Sequence, residues 1–248
     1  YFQVLNLENI ELIIGNSGRN FSGGTSITIQ LLDYQEKEMN LAVLGSRFIP
    51  KHFKTLNYLQ FLMLTRKKLP NGKLRVFYTR KNNEMIQGLI AKYIFRSKIK
   101  IIFSSSAQRN HTKFTKWLMS KMDSVVSTSR KAGNYLIKEP DKIISHGIDL
   151  NRFSLPEDKD KAWQSLGFPG SIGIGIFGRV RYSKGIDILV DAALKVLPKH
   201  PKATVIICGE IQIEDQTYKN NMLRKITDAN LEDRILFLGK KPFEDLPK

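Results

Sequence analysis

The sequence predicts an α/β protein of two parallel-sheet domains, the second cut short, and three observations lead there. Strand-like and helix-like segments alternate along almost all of the 248 residues. The strand-like segments are continuous apolar runs, the pattern of strands covered by helices on both faces. A charged, turn-rich stretch at 151–169 then interrupts the series before a second, shorter one begins.

In chain order, strands are expected at 11–16, 40–44, 74–79, 100–105, 124–128 and 142–145. Helical periodicity lies between them at 25–37, 84–96, 113–122 and 130–137, with a further helix at 57–66. After the break come a strand at 172–177, a helix at 185–199, a strand at 203–208, a helix at 218–229 and a strand at 234–238. The boundary falls near residue 165, giving a first domain over 4–165 and a partial second domain over 166–248. Three strands and two helices are few for a self-sufficient domain. The opening Tyr1-Phe2-Gln3 resembles a protease-site scar and is set aside, and the closing Asp245-Leu246-Pro247-Lys248 reads as the first turn of another element.

Apolar residues make up 42% and charged residues 25%, the balance of a folded chain rather than of a disordered tail or a membrane bundle. No apolar run reaches the roughly 18 residues of a spanning helix, and the start has no secretory leader pattern. A lone cysteine, Cys208, excludes an internal disulfide and a multi-cysteine zinc site. These features imply the cytoplasm. The unusual quantity is charge, +17 from 40 Lys and Arg against 23 Asp and Glu. Residues 1–165 hold 27 bases and 13 acids, 166–248 hold 13 and 10, and the window 47–121 holds 18 bases and one acid, Glu84. One half of the chain is therefore suited to an anionic partner: nucleic acid, a phosphorylated glycolipid surface or a phosphorylated small molecule.

The strongest local signal runs from Phe177 to Leu189, where a strand ends at Gly178-Arg179, a polar loop follows, and a helix starts after Lys184-Gly185. Such a loop lies outside the carboxyl end of a strand, where parallel sheets place ligands. Arg179 supplies a planar fork and Lys184 a point charge beside a helix N-terminus, three elements suited to a diphosphate. Spacing alone leaves an ordinary loop with solvated bases equally open. Gly173-x-Gly175-x-x-Gly178 fits the dinucleotide fingerprint letter for letter, yet its first two glycines fall inside a strand, which speaks against a nicotinamide site. Asp158-x-Asp160 sits in a charged linker with no apolar strand before it and reads as a solvated charge run. At 113–122, Lys113, Lys116 and Lys121 interleave with Phe114, Trp117, Leu118 and Met122. That helix suits an anionic membrane surface, or one whose apolar stripe faces the sheet.

The Gly178-Arg179 and Lys184-Gly185 loop resembles the donor-phosphate loop of the retaining glycosyltransferases of family 4. The segment from Ile144 to Phe153 resembles their N-G-V-D-x-x-x-F segment, with His146 where Asn is usual. Residues 79–85 (Thr-Arg-Lys-Asn-Asn-Glu-Met) and 106–117 resemble, more narrowly, the mannosyltransferases of bacterial lipopolysaccharide core assembly. The resemblance implies a GT-B-like fold of two Rossmann-like domains. It implies transfer of mannose from GDP-mannose, with retention, to the inner core of a lipid-anchored acceptor, by an enzyme peripheral to the cytoplasmic face of the inner membrane.

By the same resemblance, Arg179 and Lys184 neutralise the departing diphosphate and His111 hydrogen-bonds the transferred sugar. Gly23, Gly24 and Thr25 let backbone approach donor phosphate and acceptor, and Gly178 and Glu210 belong to the donor side. Glu84 either contacts an acceptor hydroxyl or caps the helix that follows it. The partners implied are a nucleotide sugar, a phosphorylated glycolipid acceptor and an anionic membrane surface, without nucleic acid. No metal or other cofactor is implied, and no catalytic base, since the leaving phosphate takes the acceptor proton. The paired glutamates of the family's second domain have no counterpart here, which implies weak donor binding. Two other readings stand beside this one: the same fold with a UDP-sugar donor, and a nucleic-acid-binding α/β protein. The latter lacks any helix-turn-helix, RRM-like or KH-like pattern.

Overall fold

The structure is a computed structural model that describes residues 7–18, 23–150, 153–242 and 245. The opening scar, Asn151-Arg152 and the closing residues 246–248 lie outside the described residues. The chain divides into two compact units, Tyr1–Asp149 and Leu150–Lys248.

The first unit runs β1 (Leu12–Gly15), α1 (Gly23–Glu38), β2 (Leu41–Leu44), β3 (Thr55–Leu56), α2 (Tyr58–Thr65), β4 (Arg75–Thr79) and α3 (Asn82–Leu89). It continues through β5 (Ile99–Ser105), α4 (Lys113–Ser120), β6 (Ser124–Ser127), α5 (Arg130–Gly133) and β7 (Lys142–Ile143). The strands are parallel in the order β3-β2-β1-β4-β5-β6-β7. Strand order thus runs one way from β1 to β3 and the other way from β4 to β7. Right-handed crossovers put α1 on one face of the sheet and α2, α3 and α4 on the other. Leu32 of α1 packs with Ile14, Leu41 and Val43, whereas Phe61 of α2 packs with Ile13, Ala42 and Phe77. Both faces being covered, β2 is buried at every position, which is why its sequence, Leu-Ala-Val-Leu, does not alternate. The reversal between β1 and β4 opens a crevice at the carboxyl ends of the strands.

Three local expectations change. The two-residue strand β3 has no pattern long enough to be read from sequence. The helix expected over 84–96 starts earlier, and after Leu89 its turns widen into a π-helix over Ile90–Ile94, where Phe95 N–H donates to Ile90 C=O at 3.2 Å. The helix expected over 130–137 stops at Gly133, because Gly and Asn134 are poor helix formers and Pro140 packs against Gly133.

The second unit runs α6 (Lys159–Ser165), β8 (Ile172–Phe177), α7 (Ile186–Val196), β9 (Ala203–Cys208), α8 (Gln216–Asp228) and β10 (Ile235–Gly239), with parallel strands in the order β10-β9-β8. Val190 and Ala193 of α7 and Met222 and Ile226 of α8 pack together with Val205, Ile207 and Ile235. The division of the chain comes earlier than residue 165, because the charged stretch holds α6. Asp158 is the cap of that helix, accepting from the N–H groups of Asp160 and Lys161 at 3.0 Å. The Trp163 ring lies against Gly173, where a Cβ would come within 2.3 Å of it, and its Nε1–H donates to Gly170 C=O at 2.9 Å. Gly175 makes room in the same way for the ring of Phe177. The two in-strand glycines of the dinucleotide-like pattern therefore seat aromatic rings. β8 is an edge strand and not covered on both faces: Ile172, Ile174 and Phe177 are 55%, 42% and 64% exposed.

Candidate active site

In the first unit the loops that leave β1, β4, β5, β6 and β7 meet at the carboxyl edge, and one buried carboxylate organises two of them. Glu84, in the first turn of α3, is wholly buried. Its Oε1 accepts from Ser17 N–H at 3.1 Å and Ser17 Oγ at 3.0 Å, and its Oε2 accepts from Arg80 N–H at 2.7 Å and Lys81 N–H at 3.1 Å. It caps α3 and ties the end of β1 to the end of β4. Of the two roles open to Glu84 from sequence, the structure gives it the cap. Gly15 is part of the same arrangement, since a Cβ there would lie 2.9 Å from the Glu84 side chain.

Arg80 completes the tie. Its Nη1 donates to Gly24 C=O at 2.7 Å and its Nη2 to Gly15 C=O at 3.4 Å, while its Nε–H is buried with no partner among the described residues. Gly24 C=O also accepts from Thr28 Oγ1 at 2.8 Å. Gly23, Gly24 and Thr25 are the first turn of α1 rather than a loop before it, with Thr25 buried and the two glycines exposed.

Between these loops lies a cavity of about 260 Å³, lined by Gly24, Ile27, Arg80 and Lys81 on the β1–β4 side and by Ser104, Ser106, Thr128 and His146 on the other. His111 does not line it. Its Nε2 is 3.4 Å from the hydroxyl of Ser105, the residue between two of the lining serines. Partial burial, and then the charges of Arg109 and Lys116, hold its pKa below the ordinary 6.5, so the ring is neutral near pH 7. Sequence reasoning assigned no role to Arg80, Lys81, Ser104, Ser106, Thr128 or His146. The usable signal was position: each follows, or nearly ends, a parallel strand.

In the second unit, Gly178 follows β8 with φ 141° and Gly185 precedes α7 with φ 65°, both in the region that favours glycine. A Cβ on Gly209 would meet Gly178 C=O at 1.8 Å, so the loops after β8 and β9 run backbone against backbone. Val180 N–H donates to Glu210 C=O at 3.0 Å, and the Glu210 carboxylate is exposed, 3.5 Å from Lys240 Nζ. Arg179 and Lys184 are exposed, with Arg179 Nη1 donating to Gln212 Oε1 at 2.9 Å. The start of α7 is less open than the spacing implied. Asp187 N–H donates to Tyr218 Oη at 2.9 Å, and that hydroxyl donates on to Asp187 Oδ1 at 2.8 Å.

Helix α4 divides its apolar residues. Thr115, Leu118 and Met119 are buried on the sheet, while Phe114 and Trp117 are 52% and 53% exposed and stack with centroids 6.0 Å apart. Lys113 and Lys121 flank them in solvent. No helix among the described residues is long and apolar enough to cross a membrane.

Comparison with known proteins adds the family. Residues 158–248 match the model described as glycosyl transferases group 1. A "Lipopolysaccharide core biosynthesis mannosyltransferase LpcC" of Rhizobium leguminosarum bv. viciae is 37% identical over 237 residues, 95% of this chain and 66% of that protein. A second relative, LpsB of Rhizobium meliloti (strain 1021), with the same description, is 35% identical over 240 residues, 96% of this chain and 67% of its own length. The chain thus spans about two thirds of the length of the curated relatives it matches. Among solved structures, Anabaena Alr3699/HepE in complex with UDP matches with a TM-score of 0.75 at 19% identity, over 96% of this chain and 71% of that one. That likeness is one of fold: the chain has the GT-B-like α/β architecture expected from sequence.

Proposed function

Since the chain belongs to the glycosyl transferases of group 1, we propose that it acts in lipopolysaccharide core assembly, transferring mannose from GDP-mannose to the inner core of a lipid-anchored acceptor. The observation that carries this reading is that the identity with two named core mannosyltransferases runs over 95% and 96% of the chain, through both units. The carboxyl-edge crevice of the first unit is the acceptor side, and the Gly178 to Gly185 loop of the second is the diphosphate side.

Bond cleavage at the anomeric carbon leaves charge on the departing diphosphate. Two exposed bases, Arg179 and Lys184, answer that charge as it grows, which is the condition for lowering a barrier rather than merely binding substrate. Arg179 is pre-oriented by Gln212. With Tyr218 already on the Asp187 N–H, the two side chains, more than the helix start, meet the phosphates. His111, kept neutral, can donate and accept at a hydroxyl of the transferred sugar. The configuration is retained, and the leaving phosphate takes the acceptor proton, so no separate base is required. Replacing Arg179 or Lys184 by Ala lowers turnover of the purified enzyme by about a hundredfold or more. Transfer near the wild-type rate would sink the assignment.

The enzyme works at the cytoplasmic face of the inner membrane, with α4 as one contact to the anionic surface. Its stacked Phe114 and Trp117, left outside the core between Lys113 and Lys121, support this. The test of the whole reading is a donor screen, GDP-mannose against UDP-sugars, with product on a core-lipid acceptor identified by mass. Transfer from a UDP-sugar alone would replace the donor, and no transfer from any nucleotide sugar would overturn the function.

A further inference from the structure

We infer that Phe48 is a further substrate-binding residue, its ring a platform for the apolar face of a sugar of the acceptor. The inference rests on the reading of the first unit as the acceptor side. The ring itself is singled out by the backbone that carries it.

Phe48 lies in the turn that follows β2, closed by Ile49 N–H donating to Ser46 C=O at 3.1 Å. It is the third residue of that turn and has φ 66°, a left-handed conformation for which glycine or asparagine is the usual choice. Among the described residues two other non-glycine residues have positive φ, and each has an ordinary account. Asn230 is of a type that tolerates it, and Arg96 stands just past the end of the π-helix, where chains commonly turn left-handed. Neither account applies to Phe48. The core does not claim its ring either: Ile49 and Phe53 are 9% and 5% exposed and pack with Ile14, Leu41 and Val43, whereas Phe48 is 43% exposed. A bulky side chain in a strained conformation, with much of its surface in solvent, is the pattern of a residue kept for binding rather than for stability.

The turn is also held where a ligand of this unit can meet it. Asn16, buried just past β1, donates from Nδ2 to Gly45 C=O at 3.1 Å and to Arg47 C=O at 2.8 Å. Gly45, with φ 102°, comes so close that a Cβ there would lie 2.5 Å from the Asn16 carbonyl oxygen. Ser17, the next residue, is bound to Glu84, so one strand end ties the Phe48 turn to the wall of the crevice. A turn clamped in this way presents the ring with little freedom left to lose on binding. The negative face of the ring suits the weakly positive C–H hydrogens of a pyranose, while the hydroxyls of the same sugar stay free for the polar groups of the crevice.

The test is a ¹H titration of deacylated lipopolysaccharide core oligosaccharide with the purified chain, comparing wild type with Phe48→Tyr, Phe48→Leu and Phe48→Gly. Stacking on a ring moves the sugar C–H signals upfield. Those shifts are expected with wild type and Phe48→Tyr and are lost in Phe48→Leu, which binds about tenfold more weakly. Phe48→Gly, a residue the turn accepts without strain, loses the same shifts and gives the comparison independently of any folding defect in Phe48→Leu. In turnover, Phe48→Leu raises the KM for the acceptor about tenfold and leaves the KM for the nucleotide sugar unchanged. No upfield shifts in the wild type, or equal shifts in Phe48→Leu and Phe48→Gly, overturn the platform. A raised KM for the nucleotide sugar overturns it in favour of a donor contact. The titration needs no turnover, so a chain that stacks the oligosaccharide on Phe48 but transfers no mannose refutes the proposed function and not the platform. A chain that transfers mannose with sugar shifts indifferent to Phe48 does the opposite.

Discussion

At Glu84 a single side chain holds together two loops, through Ser17, 67 residues before it in sequence, on one side and Arg80 and Lys81 on the other. Removing the carboxylate strands four donors, two of them backbone N–H groups at the partly buried start of α3. Glu84→Ala should therefore lower stability by about 2–4 kcal/mol, read from urea unfolding, with Glu84→Gln intermediate because the amide keeps one acceptor oxygen. A loss within experimental error would mean that water replaces the carboxylate. His111 gives a second prediction at this scale, and its sign follows from the direction of its shift. A histidine whose folded pKa lies below 6.5 binds fewer protons folded than unfolded. Its effect is absent well above 6.5 and becomes unfavourable as pH falls through that value, because the unfolded chain takes up the proton first. Stability should thus decline on acidification from about pH 7.5 to 5.5, and His111→Gln should make that decline shallower. An unchanged slope in the variant would place the ring in an environment no different from water.

At the scale of elements, α6 shows how a helix can be hidden in a composition signal. Lys159 to Ser165 carries two bases and one acid in seven residues, behind Glu157 and Asp158, and so reads as a solvated linker, yet Trp163 anchors it on β8, where Gly173 leaves room for the ring. Gly173→Ala places a methyl group in that ring and should destabilise the second unit by about 1–3 kcal/mol. Trp163→Ala should destabilise it too, yet the two changes together should cost less than their sum, since removing the ring removes the clash. Additive losses, measured in a double-mutant cycle, would detach α6 from β8. The same contrast explains what was legible. The long apolar strands announce themselves because burial dictates their composition at most positions, and the helices α1, α7 and α8 because their few buried residues recur at helical spacing. What stayed hidden depended on partners distant in sequence: the seat of Trp163, the hydroxyl of Tyr218 on the start of α7, and the convergence of Ser104, Thr128 and His146 on Arg80. The resemblance in residues 79–85 pointed to the right segment, but only the fold shows Glu84 facing inward while Lys81 faces the cavity.

For the whole molecule the net charge of +17 is not evenly available. The first unit carries 24 basic and 10 acidic residues and the second 16 and 13, so the asymmetry belongs to the unit with the cavity. Part of it is spent internally. Arg75 is buried, donating to the carbonyls of Lys67 and Glu8, and Lys92 pairs with Asp123 at 2.7 Å. What remains outward includes the α4 face, where Lys113 and Lys121 border the stacked Phe114 and Trp117. Each basic residue near an anionic leaflet contributes about 1 kcal/mol, so reversing Lys113, Lys116 and Lys121 to Glu should weaken binding by more than about a hundredfold. Sedimentation with phosphatidylglycerol-rich vesicles should then be abolished, while phosphatidylcholine vesicles bind neither protein. Phe114→Ser with Trp117→Ser should weaken sedimentation yet leave it salt-sensitive, because the aromatic pair adds apolar burial and the lysines add the field. Undiminished sedimentation in both variants would move the membrane contact off α4 and leave the charge of the first unit to the acceptor alone.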